Sequence, residues 1–322
     1  MVNATTILAQ RDKALLDTDF PFLGIRQQGK VRDFYSYNGQ RITITTDRQS
    51  AFDQVLGLIP FKGSVLNELA AWWFHKTRHI IPNHMIATPD PNVLISDDCQ
   101  AVPVEIIVRG YLSGATKTAI WSSYSQGERT IYGLEFPDGM VKNQKLPNPV
   151  ITPTTHATGG SHDERLTREQ IIGKDMVPKE IYEEMERVSL ELFRVGQLEA
   201  LKHELILVDT KYEFGVVDGK LLLIDEIHTP DSSRFWKADS YQERIEVGME
   251  PENFDKEFLR LWYVERGYSG EGQPPHMTPE LVVQVAQRYM MLYEMLTGET
   301  FEAYEYPING RIEAAIKREL NV

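Results

Sequence analysis

The chain has 322 residues, of which 42% are hydrophobic and 25% charged, as in an ordinary globular protein of one large domain or two smaller ones. Its formal net charge of −13 argues against general nucleic-acid binding, which requires a basic surface, although local basic clusters can still hold anionic small substrates. The apolar stretches are too short to cross a membrane, no secretory signal is apparent, and Cys99 is the single cysteine, so we expect a cytoplasmic protein without disulfides.

The first hundred residues are predicted to form mostly strands and turns. Lys30 and Arg32 alternate on one strand, and Asn38-Gly39 is a hairpin-turn signal between this strand and the next. A helix is predicted over Ser64–His75, with the serine as its cap, because apolar residues follow at helical spacing. A short buried strand is expected at 102–108.

The rest of the chain is predicted to be richer in helices. The expected helices cover residues 114–123, 178–201, 254–264, 279–297 and 308–320, and the stretch 133–165 is expected to be mostly loop. An order that is β-rich, then mixed, then α-rich predicts α+β lobes and not a doubly wound parallel sheet. A boundary in the region 100–115 divides the chain into residues 1–105 and 106–322.

The most informative segment is an apolar hairpin at 206–234 that carries charged residues where a core normally excludes them. Asp209, Lys211 and Glu213 alternate along its first arm, so the two-residue period of a strand places them on one face. Charges within a buried sheet must be paired or must hold an ion, which predicts a phosphate and metal site. The alternative is a solvated sheet face with ordinary cross-strand ion pairs.

The turn at Asp218-Gly219 decides which residues of the two arms face each other. A two-residue turn places Glu213 opposite Ile224, with Asp225 on the other face. A three-residue turn places Lys211 opposite Asp225, with Glu213 diagonal to it. We predict the second register because it gathers two carboxylates and a lysine on one face, and two carboxylates suit Mg²⁺.

Other charged residues are candidates for binding anions. Lys30 and Arg32 can hold nucleotide phosphates, although a Lys-Arg pair on an exposed hairpin is common. Lys62 precedes a helix start, where backbone amides favour anions, or else it belongs to a capped surface helix. Arg109 ends a buried strand, so its fork predicts a carboxylate or phosphate partner. Glu105 in the same strand either binds a ribose hydroxyl or pairs with a lysine.

Together these segments resemble the SAICAR synthetase (phosphoribosylaminoimidazole-succinocarboxamide synthase) family. The matching stretches follow the family's order over most of the chain: GKVRDFY (29–35), TTDRQSAFD (45–53), IPFKGSVLNELAAWWF (59–74), VEIIVRGYLSGA (104–115), TPTT (152–155), HDE (162–164), LVDTKYEFG (207–215) and IDEIHTPDSSRFW (224–236). The resemblance implies a two-lobed α+β fold. Its N-terminal lobe would be β-rich and clamp ATP, and its larger lobe would be built on a central antiparallel sheet.

The resemblance further implies a ligase of de novo purine biosynthesis. It would condense carboxyaminoimidazole ribonucleotide (CAIR) with L-aspartate to SAICAR, at the expense of ATP, giving ADP and phosphate. A carboxylate is a poor acyl donor, so ATP would first convert it to an acyl phosphate that the aspartate amine attacks. Mg²⁺ is the implied cofactor. ATP, CAIR and L-aspartate are the expected partners, without nucleic acid or membrane, and a homo-oligomer is left open.

The family's functional residues carry over to matching positions of this chain. ATP binding would fall to Lys30, Arg32, Glu105 and Lys211, substrate binding to Lys62, Asn67, Arg109, Ser113, Asp163 and Arg234, metal binding to Glu213 and Asp225, and catalysis to Lys211 and Arg234. Lys211 would reach the transferred phosphoryl group, and Arg109 and Arg234 would bind the ribonucleotide phosphate.

Three positions depart from the family's pattern on the substrate side. Ala115 stands where a serine is common, which removes a hydroxyl, and His156 stands where a lysine is common, with a charge that varies near neutral pH. Glu68 replaces a frequent glutamine. A paralogue acting on a related imidazole nucleotide or amine, or a non-catalytic nucleotide-binding protein, is therefore the alternative. Retention of the ATP and metal residues favours the ligase.

Overall fold

The computed structural model describes residues 2–116, 118–156 and 163–322. In chain order its strands are β1 (Gln27–Gln28), β2 (Arg32–Tyr37), β3 (Gln40–Thr45), β4 (Arg48–Ala51), β5 (Gln54–Leu58), β6 (Met85–Asp90), β7 (Val93–Asp97), β8 (Gln100–Ala101), β9 (Val104–Tyr111), β10 (Thr130–Ile131), β11 (Leu134–Glu135), β12 (Lys145–Ile151), β13 (Thr154–Thr155), β14 (Leu205–Val217), β15 (Lys220–Ile224) and β16 (Ser233–Lys237).

The helices are α1 (Ala4–Gln10), α2 (Lys62–Thr77), α3 (Ile120–Tyr124), α4 (Arg168–Gly173), α5 (Lys179–Lys202), α6 (Ala238–Glu246), α7 (Lys256–Val264), α8 (Pro279–Thr297) and α9 (Asn309–Leu320). Within the described ranges, no helix combines the length and the apolar character needed to cross a bilayer. The mixture of helices with antiparallel sheets confirms the predicted α+β class.

The chain groups into two compact units. The first comprises the described residues up to Lys76 together with Asn83–Cys99 and Phe258–Val322, and the second comprises Thr77–Pro82 and the described residues of Gln100–Glu257. The chain passes into the second unit briefly at Thr77–Pro82 and again at residue 100, and it returns to the first unit at residue 258. The division into residues 1–105 and 106–322 stays a prediction.

The first unit contains a five-stranded antiparallel sheet in the order β1-β2-β3-β7-β6. Buried polar groups tie its loops together around Asp47, which accepts hydrogen bonds from the Leu15 and Gly63 amides (2.8 and 3.0 Å) and from the Tyr306 hydroxyl (2.7 Å). Burial raises the pKa of the Asp47 carboxyl to about 6. These bonds fix the first turn of α2, where Lys62 lies.

The second unit is built on the long strand β14. Antiparallel strands β9 and β16 pair with it on opposite sides and share Asp209 and Thr210 as partners. Strand β15 pairs with its C-terminal part, and β12 and β13 extend the sheet from β9. Helix α5 packs on β14 and β9, as its apolar residues at three- and four-residue spacing require. Gly196 permits this approach, because a Cβ there would lie 2.6 Å from a side-chain carbon of Leu207 in β14.

Several predicted elements differ in extent. Helix α2 begins at Lys62, so Ser64 lies inside it, where its hydroxyl donates to the Phe61 carbonyl (3.0 Å), and does not cap it. The predicted helix 114–123 is reduced to α3, and strands β11 to β13 interrupt the expected loop 133–165. Helices α5, α7, α8 and α9 confirm the predictions made for those regions.

The predicted three-residue turn in the charged hairpin is wrong. Glu213 pairs with Ile224 and Val217 with Lys220, so Asp218 and Gly219 form a two-residue turn. Both turn residues have positive φ (49° and 75°), the left-handed pair that an Asp-Gly sequence favours. The left-handed preference of Asp218-Gly219 therefore determined the register of the hairpin, and the grouping of charged side chains on one face did not.

Asp225 nevertheless comes close to the charged face of β14. It follows the last residue of β15 and has φ of +64°, so the chain leaves the strand there and Asp225 no longer obeys the two-residue alternation. Its Oδ2 lies 3.9 Å from Lys211 Nζ. The proximity of these two residues was predicted, but the backbone reaches it by a different route.

Candidate active site

Two arginines flank one aspartate across three adjacent strands of the second unit. Asp209 in β14 is the register partner of Arg109 in β9 and of Arg234 in β16. Its Oδ2 accepts hydrogen bonds from Nη1 of Arg234 (2.7 Å) and of Arg109 (3.4 Å). All three side chains are buried. The single carboxylate therefore stabilises two guanidinium groups that burial would otherwise penalise.

Each arginine has further fixed partners. Arg109 donates from Nε to the Thr152 hydroxyl (2.8 Å) and from Nη2 to the Thr118 carbonyl (3.2 Å). Burial lowers its pKa, and Asp209 partly offsets this. Burial also opposes the charge of Arg234, but Asp209 and Glu257 hold the pKa of that group above its ordinary value.

Glu257 joins Arg234 to the loop that follows β9. Its Oε2 accepts from Arg234 Nη2 at 3.1 Å, and its Oε1 accepts from the backbone amide of Ala115 at 3.2 Å. The chain approaches Arg234 closely at Gly114, where an added Cβ would lie 3.0 Å from the guanidinium. The Glu257 carboxylate thus links the Arg234 guanidinium to the backbone amide of Ala115 at this end of the sheet.

Lys211 lies among three carboxylates on the same strand and its neighbours. Its Nζ donates to Glu105 Oε1 at 2.9 Å, contacts Glu213 and lies 3.9 Å from Asp225 Oδ2. Burial opposes the ammonium charge, but the three acids hold the pKa of Lys211 well above its usual range. The lysine is therefore a permanent cation at neutral pH.

A histidine completes this cluster. His156, which directly follows β13, has its Nδ1 3.5 Å from Glu213 Oε2. One ligand atom each from Glu105, His156 and Glu213 lie within 4.8 Å of one another, the spacing at which a metal ion could be held. The structure thus places two buried guanidinium groups beside Asp209, which could hold an anion, and two carboxylates with an imidazole around Glu213, which could hold a cation.

Comparison with known proteins shows to which family the chain belongs. The family model described as SAICAR synthetase matches residues 25–275, well over half of the chain. The chain belongs to the SAICAR synthetase family. A relative from Legionella pneumophila (strain Paris), named phosphoribosylaminoimidazole-succinocarboxamide synthase, is 50% identical over 309 residues, which cover 94% of this chain and 98% of the relative. A chloroplastic protein of the same name from Arabidopsis thaliana is 49% identical over 296 residues, which cover 91% of this chain and 72% of the relative.

Solved structures of the SAICAR synthetase family share the fold. A SAICAR synthase from Saccharomyces cerevisiae complexed with SAICAR matches with a TM-score of 0.77 and 28% identity, over 90% of this chain and 100% of that one. A SAICAR synthetase from Pyrococcus horikoshii matches with a TM-score of 0.62 over 84% of this chain, and its 22% identity supports the fold alone. The resemblance of the sequence segments to this family is thereby confirmed.

The second unit also contains the remaining predicted substrate residues of the SAICAR synthetase pattern. Ser113 is buried, and its hydroxyl donates to Asn143 Oδ1 at 2.8 Å. Asp163 is exposed. His162, the first residue of the HDE triplet, lies outside the described residues.

Four predicted site residues lie in the first unit. Lys30 is exposed and forms an ion pair with Asp53, and Arg32 is the first residue of β2. Lys62 is 1% exposed at the start of α2, and the Asn67 amide donates to the Val93 carbonyl at 3.2 Å. The roles of these residues, like those in the second unit, stay predictions.

Sequence reasoning missed Glu257 altogether, and it named Asp209 and His156 without their contacts in the site. Asp209 was recognised only as part of an alternating pattern, whereas it pairs with both arginines. The alternation itself was the signal that could have found it. Glu257 and His156 reach the site from distant segments, and no local pattern in the sequence marks either contact.

Proposed function

We propose that this chain condenses CAIR with L-aspartate to form SAICAR, ADP and phosphate in de novo purine biosynthesis. Relatives named for this synthase match nearly the full length of the chain at about half identity, and one of them is covered to 98%. Such similarity over the whole length favours the same ATP-dependent ligase reaction.

The observation that carries the proposal is the placement of two charged groups on one strand. Asp209 and Lys211 are two residues apart on β14, so a buried arginine pair and a lysine among carboxylates share one sheet. One group can hold an anionic nucleotide while the other neutralises a transferring phosphoryl group. A ligase that activates a carboxylate with ATP needs both functions.

Arg109 and Arg234 would bind the phosphate of the ribonucleotide. The buried Nε of Arg234 finds no hydrogen-bond acceptor among the residues that the structure describes. A phosphate oxygen could accept from this group, and buried donors are normally satisfied. Ser113, Asp163, Lys62 and Asn67 are proposed as further substrate contacts, as the family pattern implies.

Lys211 would stabilise charge during phosphoryl transfer. The CAIR carboxylate attacks the terminal phosphorus of ATP, the bond from that phosphorus to the ADP oxygen breaks, and an acyl phosphate forms. The amine of L-aspartate then attacks the acyl carbon, loses a proton and displaces phosphate. The ammonium of Lys211 would offset the negative charge of the transferring group, and Lys30, Arg32 and Glu105 would hold ATP.

Glu213 and Asp225 would hold Mg²⁺ with ATP. Both carboxylates already lie around one cation, the ammonium of Lys211, and oxygen ligands are those that Mg²⁺ prefers. When bound, the ion would supply positive charge that offsets the negative charge of the ATP phosphates. We also propose that the protein works in the cytoplasm, with a homo-oligomer as a state that light scattering would test.

The proposal is tested by measuring ADP release from Mg-ATP and CAIR, with and without L-aspartate, and by identifying the nucleotide product by mass spectrometry. Release that depends on both CAIR and aspartate, with SAICAR as the product, is expected. ATP binding without such turnover would contradict the ligase proposal.

A second candidate is a ligase for a related imidazole nucleotide or amine. It is favoured by Ala115, whose backbone amide contacts Glu257 at 3.2 Å beside Arg234 but whose side chain offers no hydroxyl. The same assay with other amines in place of aspartate separates the two candidates, because a diverted enzyme would release ADP faster with another amine.

A further inference from the structure

Three side chains from separate segments of the second unit converge on one point. Glu105 lies in β9, Glu213 in β14, and His156 just after β13. The antiparallel pairing of Thr154 with Glu105 brings the end of β13 to this position. The His156 backbone amide donates to the Pro103 carbonyl at 3.2 Å. This hydrogen bond continues the pairing of β13 with β9 by one contact and fixes the backbone position of His156.

The spacing of the three ligand atoms suits a first-row divalent cation. Atoms about 2.1–2.2 Å from one metal are separated by about 3 Å when adjacent and about 4.3 Å when opposite. The ligand atoms of Glu105, His156 and Glu213 all lie within 4.8 Å of one another. A small rotation of the imidazole would therefore bring all three within bonding distance of one metal ion. The imidazole of His156 has room for such a rotation, because this side chain is one-third exposed.

The carboxylate of Glu105 is also held in place. Glu105 Oε2 accepts from the Thr154 hydroxyl at 3.2 Å, which leaves Oε1 directed at the cluster. Both glutamates are nearly buried, so they present their charge to a cation with little screening by water. Fixed outer contacts of this kind are typical of metal ligands.

The cluster already accommodates a positive charge. The ammonium of Lys211 contacts Glu105 and Glu213, so the two acids stabilise a cation where the metal would lie. Asp225 Oδ2 is 3.9 Å from the same ammonium and can retain Lys211 when a metal takes over the glutamates. Binding of a divalent ion therefore requires a shift of one flexible side chain, with a carboxylate ready to receive it.

We propose that Glu105, His156 and Glu213 form a mixed nitrogen and oxygen site that prefers Mn²⁺ to Mg²⁺. Mg²⁺ favours oxygen ligands and dehydrates reluctantly, whereas imidazole nitrogen favours transition metals. The site differs from the pair Glu213 and Asp225 proposed for Mg²⁺ by its nitrogen ligand. Any role in ATP turnover rests on the proposed function, but binding of the metal does not.

The test measures Mn²⁺ binding to the nucleotide-free protein by electron paramagnetic resonance, with Mg²⁺ as competitor. One Mn²⁺ per chain is expected, and Mg²⁺ should displace it only in large excess. His156→Gln should weaken Mn²⁺ binding about tenfold or more. His203→Gln is the matched control, because His203 also lies beside a carboxylate (3.6 Å from Glu199) in the same unit.

A second readout does not depend on variants. Pulsed electron paramagnetic resonance of Mn²⁺ on the unmodified protein should detect coupling to an imidazole nitrogen. Absence of that coupling, or equal affinity of the His156→Gln and unmodified proteins, would overturn the proposal. Because neither measurement uses ATP or CAIR, failure of aspartate-dependent ADP release would contradict the proposed function and leave this result intact.

Discussion

Arg234 Nη1 donates to Asp209 Oδ2 at 2.7 Å, and the same oxygen is the acceptor for Arg109 on the opposite neighbouring strand. The two guanidinium groups would repel each other without this carboxylate, since both are buried. The carboxylate therefore holds both guanidinium groups in fixed positions.

Replacing Asp209 by asparagine should destabilise the protein, because it leaves two buried cations with one fewer compensating charge. Loss of one partner from a buried ion pair costs about 3–5 kcal/mol. Urea unfolding followed by circular dichroism would measure this loss. Asp239→Asn, which breaks an exposed ion pair with Lys237, is the control and should leave the midpoint almost unchanged. Equal shifts for the two variants would contradict the assigned role of Asp209.

Arg109→Lys should weaken binding of the ribonucleotide much more than binding of ATP. The lysine keeps the charge that Asp209 requires but loses the fork that binds a phosphate through two parallel hydrogen bonds. Calorimetric titration with CAIR and with an unreactive ATP analogue would measure both affinities. If both ligands were weakened to the same degree, Arg109 would have a structural role and not the proposed contact with phosphate.

Ala115→Ser should tighten binding of the ribonucleotide if a hydroxyl beside Arg234 can reach its phosphate. Residue 115 is exposed, so the added oxygen creates no packing conflict. A neutral hydrogen bond contributes about 1 kcal/mol, which corresponds to a several-fold gain in affinity. Ala101→Ser, at another exposed position in the same unit, tests whether any added hydroxyl gives this effect. An unchanged CAIR affinity in Ala115→Ser would mean that another group already makes the contact.

Glu68 should make stability depend on pH. Burial raises the pKa of its carboxyl from an ordinary 4.5 to about 7, Arg311 opposes this, and Asp90, Glu299 and Glu302 add to it. A carboxyl with a raised folded pKa contributes its full stability below pH 4.5, and this is lost as pH rises through about 7. The loss is at most about 3 kcal/mol, since one pKa unit corresponds to 1.36 kcal/mol.

Glu68→Gln should therefore raise the urea midpoint at pH 8 and change it little at pH 4.5. Thermal or urea unfolding across this range gives the measurement, with Glu271→Gln in an exposed loop as the control. A constant difference between the Glu68→Gln and unmodified proteins at all pH values would show that titration of Glu68 is not its cause.

The alternation of Asp209, Lys211 and Glu213 was readable from the sequence because a strand has a fixed two-residue period. The register of their hairpin was misjudged, since the left-handed preference of Asp218-Gly219 outweighed the grouping of charges. The two-residue period of the strand thus explains the correct prediction of the charged face, and the conformational preference of the turn explains the wrong register.

Contacts between distant segments could not be predicted in the same way. Glu257 reaches Ala115 across 142 residues, and Arg109 reaches Asp209 across 100. Such pairs depend on how the strands order within the sheet, which the periodicity of a single segment does not encode. The resemblance to a family supplied the candidate residues on β9, β14 and β16, including Glu105 and Glu213, but not the pairing of Asp209 and Glu257 with the arginines.

Asp225→Asn should reduce kcat by about 100-fold while the fold is retained, because the change removes one charge from the proposed metal pair and from the surroundings of Lys211. The position lies just beyond β15, where asparagine tolerates the left-handed conformation as aspartate does. Turnover at saturating Mg-ATP, with circular dichroism to verify folding, gives the measurement. Asp218→Asn, at an exposed left-handed position of the same hairpin, should leave kcat unchanged. Full activity of Asp225→Asn in saturating Mg²⁺ would rule out a metal role for Asp225.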